Sequence, residues 1–220
     1  MNLDILRTIT KPIFYVTNDV SRGIGLENLL PNYHSICLDD HLLVDYLTAA
    51  GVSVFCLERQ LGKKNTLLRN SSTILSHPLT LSFIEEKSKE ETASILFFKP
   101  QKKLDLLAKK HKFNLIGNNA EINRLFEDKI VFYELCKQFG LKVPEGEINL
   151  LTALDFSQLS NKYDLPLVVQ FGRGWAGNST YFISDVQDLK KLQAKFGQIK
   201  VRVTRFVAGK TILNNAAIYG

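Results

Sequence analysis

The chain has 220 residues, room for one large domain or two small ones. Its 45% apolar and 23% charged content is that of an ordinary globular protein, and no apolar run approaches membrane-spanning length. The formal charge of +6 is spread over both halves and forms no basic tail, so a small anionic ligand accounts for it as well as a nucleic acid does. Cys37, Cys56 and Cys136 are odd in number, far apart and set in apolar sequence. They read as buried thiols in a reducing compartment, without metal-ligand spacing. The opening MNLDILRTITKPIFYV has an early Asp4, an interrupted apolar segment and no small-residue cleavage site, so the expected location is the cytoplasm.

In chain order, Pro12 to Thr17 is a short apolar run and predicts a buried strand. Asn18 to Gly25 contains a single Gly-x-Gly and reads as a strand-end loop. Ser35 to Leu38 predicts a strand, His41 to Ala50 a helix closed by Gly51, and Val52 to Leu57 another strand. That βαβ order points to a parallel sheet. Arg59 to Ser72 is polar and reads as a mobile loop. Thr80 to Ser88 predicts a short helix and Ala93 to Phe98 a strand. Pro100 opens a helix whose Lys102, Lys103, Lys109, Lys110 and Lys112 alternate with Leu104, Leu106 and Leu107. The lysines read as the wet face of an amphipathic helix rather than a nucleic-acid patch. Phe113 to Ile116 predicts the last strand of a first α/β domain, residues 1–118.

The second domain, residues 119–220, opens with Ala120 to Phe139, one helix or two in sequence, with Leu125, Ile130, Val131, Phe132, Leu135, Cys136 and Phe139 on its apolar face. Gly140 and Pro144 end it. Leu150 to Tyr163 predicts a further helix with Leu154 and Leu159 inward. Asp185 to Phe196 predicts a helix capped by Ser184 and ended by Gly197. Lys200 to Val207 predicts a strand, Ala208 to Lys210 a turn, and Thr211 to Tyr219 a returning strand.

The stretch LPLVVQFGRGWAGNSTYFIS, Leu165 to Ser184, holds the most chemistry. Leu165 to Phe171 and Thr180 to Ile183 read as two strands of a hairpin. Between them lie Gly172, Arg173, Gly174, Trp175, Ala176, Gly177 and Asn178. The glycines open positive φ and close backbone approach, successive amide N–H groups can cup an anion, and Arg173 adds a fixed charge. A phosphate loop of the Walker or dinucleotide type runs from strand into helix, and this one does not. The same residues also serve a plain surface hairpin.

Three segments together resemble the ATP-grasp superfamily, the carboxylate–amine and carboxylate–thiol ligases. They are DKIVFYELCKQFGLKVPEGE (Asp128 to Glu147), the glycine hairpin, and VRVTRFVAGKTI (Val201 to Ile212). The resemblance implies an α/β fold: an open parallel-sheet, Rossmann-like domain, then an α+β ATP-grasp lobe that is incomplete at the C-terminus. It implies that the glycine loop, Gly172 to Asn178, folds over phosphates and that Lys129, a point charge near a helix start, touches a phosphate oxygen. A second lysine is usual on the strand before the loop. Gln170 stands there instead, and Arg173 is the candidate to replace the missing charge. Thr204, Arg205, Phe206 and Val207 would offer backbone groups to adenine, and Trp175 would cap the site or contact substrate. Arg205, Lys210 and Thr211 depart from the acids usual near the ribose.

The function so implied is binding of Mg-ATP and activation of a carboxylate as an acyl phosphate, for attack by an amine or thiol. The Mg²⁺ ligands and the catalytic groups would lie in a second lobe beyond Gly220. The expectation is therefore a truncated chain or a fragment of a longer ligase, inactive alone. The rival expectation is a non-catalytic nucleotide-binding or interaction module, favoured by Gln170, Arg205 and Thr211. The expected partners are a nucleotide and a small carboxylate, with no membrane.

Overall fold

A computed structural model of the chain describes residues 3–64, 68–174 and 178–210. The predicted strand over residues 211–219 lies outside them. The chain divides into two units, Met1–Asn123 and Arg124–Gly220, and the division falls inside a helix, α6 (Ala120–Glu127).

The first unit is built on five short apolar strands. β1 (Ile13–Thr17) and β2 (Tyr33–Cys37) are buried along their whole length, the mark of strands covered on both faces. β3 (Ser53–Cys56), β4 (Ser94–Phe97) and β5 (Asn114–Ile116) complete a sheet in the order β3-β2-β1-β4-β5, every pairing parallel. Phe14 and Val16 join Ile36, Ile95, Ile74, Leu75, Ile84 and Leu104 on one face. The last four come from α3 (Ser71–Leu75), α4 (Pro78–Ser88) and α5 (Lys102–His111). Ile13 and Tyr15 turn the other way, onto Leu30 and Tyr33. Cys37 and Cys56 meet Val44 and Leu47 of α1 (Leu42–Ala49) in a further buried cluster, and all three cysteines are buried free thiols. The α5 lysines are exposed while Leu104 is buried, as the amphipathic pattern predicts.

Two expectations in this unit fail. Leu57 belongs to α2 (Leu57–Leu61), not to the strand before it. The polar stretch taken as a loop from Arg59 to Ser72 carries the end of α2 and the start of α3. Asn70 caps α3 by accepting from the Thr73 N–H, and Ser71, buried, donates to the Val16 carbonyl. At Asn70 and Ser71 the polar residues serve capping and burial with partners.

The second unit is an antiparallel sheet in the order β6-β9-β7-β8. The strands are β6 (Gly146–Leu150), β7 (Leu167–Phe171), β8 (Thr180–Ile183) and β9 (Lys200–Arg205). The hairpin β7–β8 is antiparallel as expected. Leu167, Val169, Phe171, Val201, Val203 and Ile183 point to one face and pack on Leu159 of α8 (Phe156–Lys162) and on Leu189 and Leu192 of α9 (Val186–Phe196). α7 (Lys129–Gln138) is in contact with β7 and β9.

Of the two possibilities left open over 120–139, one helix or two, the structure has two, because Asp128 interrupts the segment and caps the second. Leu125, Phe132 and Phe139, placed on a buried face by the pattern, are exposed. The helix predicted over 150–163 is a strand end, a 3₁₀ turn at Leu151–Ala153 and the shorter α8. The cap of α9 is Asp185, which accepts from the Gln187 and Asp188 N–H groups, and not Ser184.

Candidate functional site

The second unit brings the start of α7 against the glycine turn. Asp128 Oδ1 accepts from the Ile130 and Val131 N–H groups at 3.0 and 3.2 Å, and the Lys129 N–H donates to the Gly172 carbonyl at 2.8 Å. The donors of the first helical turn are thereby used within the protein, and the charge left to an outside anion is that of the Lys129 side chain. Its Nζ donates to the Gly174 carbonyl at 3.3 Å and to the buried Ser179 Oγ at 3.1 Å. An ammonium has three N–H donors. Two hold it astride the loop, and the third has no partner among the described residues.

The glycines matter here for space. Gly172 and Gly174 are not among the positive-φ residues, so of the two uses expected of these glycines it is close backbone approach that applies at these two positions. A β-carbon on Gly172 would stand 2.8 Å from Asp128 Oδ1, and one on Gly174 would stand 2.0 Å from Ser179 Oγ. Glycine lets the turn lie flat against the helix cap and against Ser179.

Arg173 is exposed over half its surface, and its Nε lies 3.8 Å from Asp128 Oδ2, so part of its charge faces that carboxylate. Gln170 is on β7, directly opposite Thr180 on β8 and Arg202 on β9. Its Nε2 donates to Thr180 Oγ1 at 3.0 Å, and its Oε1 accepts from Arg202. Asn178 stands at the far end of the turn, its carbonyl accepting from the Tyr181 hydroxyl at 3.3 Å. Trp175, Ala176 and Gly177 lie outside the described residues.

Of the four residues assigned to adenine, Thr204 and Arg205 are still in β9, paired with β7 and β6. The Arg205 N–H donates to the Glu145 carbonyl at 2.9 Å, and its side chain lies 4.0 Å from the Glu145 carboxylate. Phe206 and Val207 follow the strand and are exposed, with the Phe206 ring edge-on to Phe182 at 5.9 Å. The strand predicted to run to Val207 ends at Arg205.

Three residues that the sequence reading passed over complete the arrangement: Asp128, Ser179 and Arg202. An aspartate directly before Lys-Ile-Val-Phe is a legible capping signal. Ser179 and Arg202 carry no such signal, because only the strand pairing places them. Among the described residues no group of three His, Cys, Asp or Glu side chains could hold a metal ion. None of the described helices is long and apolar enough to cross a membrane.

No family model matches the sequence, and no curated protein matches it. Solved structures do. The chain is similar to N5-carboxyaminoimidazole synthetase from Staphylococcus aureus, solved with ADP. The identity is 14% and the TM-score 0.55, over 91% of this chain and 48% of that one. It is similar to biotin carboxylase from Campylobacter jejuni at 19% identity and a TM-score of 0.58, over 90% of this chain and 45% of that one. A third is D-alanine–D-alanine ligase from Bacillus anthracis, solved with ATP, at 16% identity and a TM-score of 0.50, over 90% and 60%. The chain thus spans about half the length of the first two structures. A parallel five-stranded unit followed in sequence by an antiparallel four-stranded one is thus a fold that the chain shares, over about nine-tenths of its length, with these enzymes.

Proposed function

We propose that the chain binds a nucleoside triphosphate, ATP by analogy with its structural neighbours, along the β7–β8 turn. The single observation that supports this most is Lys129 Nζ held by Gly174 and Ser179, with a third donor that has no partner among the described residues. The second unit fixes a cation beside Gly172 and Gly174 of the turn, which is what a phosphate oxygen needs. Arg173 adds charge at the mouth of the turn. Phe206 and Val207, exposed just past β9, offer apolar surface and backbone groups to a base. Mg²⁺ would accompany the phosphates; no side chain described in this chain is assigned to it.

The activity proposed is that of a carboxylate ligase. Phosphoryl transfer to a carboxylate gives an acyl phosphate, and an amine or thiol then displaces phosphate. Charge stabilisation and positioning dominate such catalysis, and Lys129 serves both. A non-catalytic nucleotide-binding role is the second reading. Gln170 favours it, because its amide is engaged by Thr180 and Arg202 and carries no charge. A cytoplasmic setting and a small carboxylate partner complete the proposal, and the two units correspond in it to a leading domain and a nucleotide lobe.

Trp175 is the only tryptophan, so its emission can be followed during titration with Mg-ATP, alongside calorimetry. A saturable change with heat of binding is expected. A flat signal without heat overturns the nucleotide reading. Phosphate release by the full-length protein, dependent on nucleotide and carboxylate, separates the ligase from the non-catalytic binder.

A further inference from the structure

Arg202 is a charge without a counter-ion among the described residues of the second unit. Its side chain is half-buried on β9. Its Nη2 donates to Gln170 Oε1, and its guanidinium carbon lies 5.2 Å from the centre of the Tyr133 ring. Its Nε is buried and has no acceptor, and no carboxylate lies within ion-pair distance among the described residues. Burial works against the charge, yet a guanidinium stays protonated at any physiological pH. A desolvated cation with no counter-ion costs stability that an arriving anion would recover.

Its position says which anion. Arg202 is directly opposite Gln170, which is directly opposite Thr180, so the three share one face of the sheet. Thr180 follows Ser179, the hydroxyl that holds Lys129. Two cations from different elements, Lys129 on α7 and Arg202 on β9, therefore flank the root of the same turn. Arg173, by contrast, already faces Asp128. We infer that Arg202, steadied by Gln170 and Tyr133, is the second phosphate-binding cation of this site, and that it holds the phosphate chain of a nucleoside di- or triphosphate. This rests on the nucleotide reading above and specifies it: the charge absent at position 170 is supplied from the neighbouring strand.

The test is calorimetry of the full chain with Mg-ADP and with adenosine, for the wild type, Arg202→Met, Arg202→Lys and Lys129→Met, with thermal unfolding of each without ligand. Arg202→Met should weaken Mg-ADP by about tenfold or more, the scale of one charge-assisted contact, and leave adenosine unchanged. Arg202→Lys should retain most of the affinity. Without ligand, Arg202→Met should melt at or above the wild-type temperature, because an uncompensated buried cation has been removed. If Arg202→Met binds Mg-ADP as the wild type does while Lys129→Met does not, the inference fails and the nucleotide reading stands. If Arg202→Met is markedly less stable without ligand, the residue is a structural brace and the inference also fails. If the wild type binds no Mg-ADP, both fall together.

Discussion

Gly174→Ala tests whether the glycine turn is shaped by contact. The new β-carbon would lie 2.0 Å from Ser179 Oγ and 2.2 Å from Ser179 Cβ. Ser179 is only 4% exposed, so it has no open space to swing into. Either the turn lifts or Ser179, the residue before β8, shifts. Overpacking of this kind costs about 1–3 kcal/mol. For a unit of roughly 100 residues each kcal/mol moves Tm by about 4–8 °C, so a fall on the order of 5–20 °C is expected in scanning calorimetry. The change also spreads the two acceptors of Lys129, the Gly174 carbonyl and Ser179 Oγ, so Mg-ADP should weaken as it does for Lys129→Met. Adding Ser179→Gly removes the clashing atoms and should return most of the lost Tm without restoring affinity. A single variant that melts with the wild type and binds Mg-ADP unchanged would refute the close-approach account. So would a double variant less stable than the single one.

Asp128→Ala should cost about 1 kcal/mol through loss of the α7 cap, and Asp128→Asn much less, read as chemical-denaturation midpoints. Gly146→Ala should destabilise the second unit more than Gly174→Ala, because its β-carbon would meet a backbone atom, the Val203 carbonyl, at 2.2 Å; equal or smaller loss would contradict this. His34 is buried with Nδ1 2.8 Å from Ser53 Oγ and Nε2 3.0 Å from Asn32 Oδ1, contacts a neutral ring satisfies by accepting at Nδ1 and donating at Nε2. Burial, helped by Lys87, lowers its pKa from 6.5 to about 4. The unfolded chain therefore binds the proton first. This contribution is intact above the ordinary histidine pKa and is lost as pH falls toward 4, up to about 3 kcal/mol. Urea midpoints at neutral and acid pH should show that loss in the wild type, and His34→Gln should lack it.

The first unit was legible because its strands are short apolar runs separated by turn residues, and burial on both faces gives such runs no competing pattern. The glycine hairpin and Lys129 were legible as residue types at a spacing. β6 was not: Gly146-Glu-Ile-Asn-Leu is a half-exposed edge strand that exists through its pairing with β9, and its one short alternation of Glu, Ile, Asn and Leu follows a glycine and holds no apolar run. Leu154 and Leu159 read as one helical face, yet only Leu159 is on a helix and Leu154 is buried from an extended link. Ser179 and Arg202 escaped for the same reason. Each acquires its part from a cross-strand or cross-loop neighbour far away in sequence, and a single chain read in order does not display those pairs.

The place of β1 has a consequence for how the first unit comes off the ribosome. Ile13 lies beside Tyr33 on one side and Ser94 on the other. One flank of this wholly buried strand can be satisfied soon after synthesis, while the other waits for residues 94–97. At about 5–20 residues per second that interval is roughly 3–12 s. Throughout it the nascent chain carries an open, apolar β edge of the kind that recruits other chains.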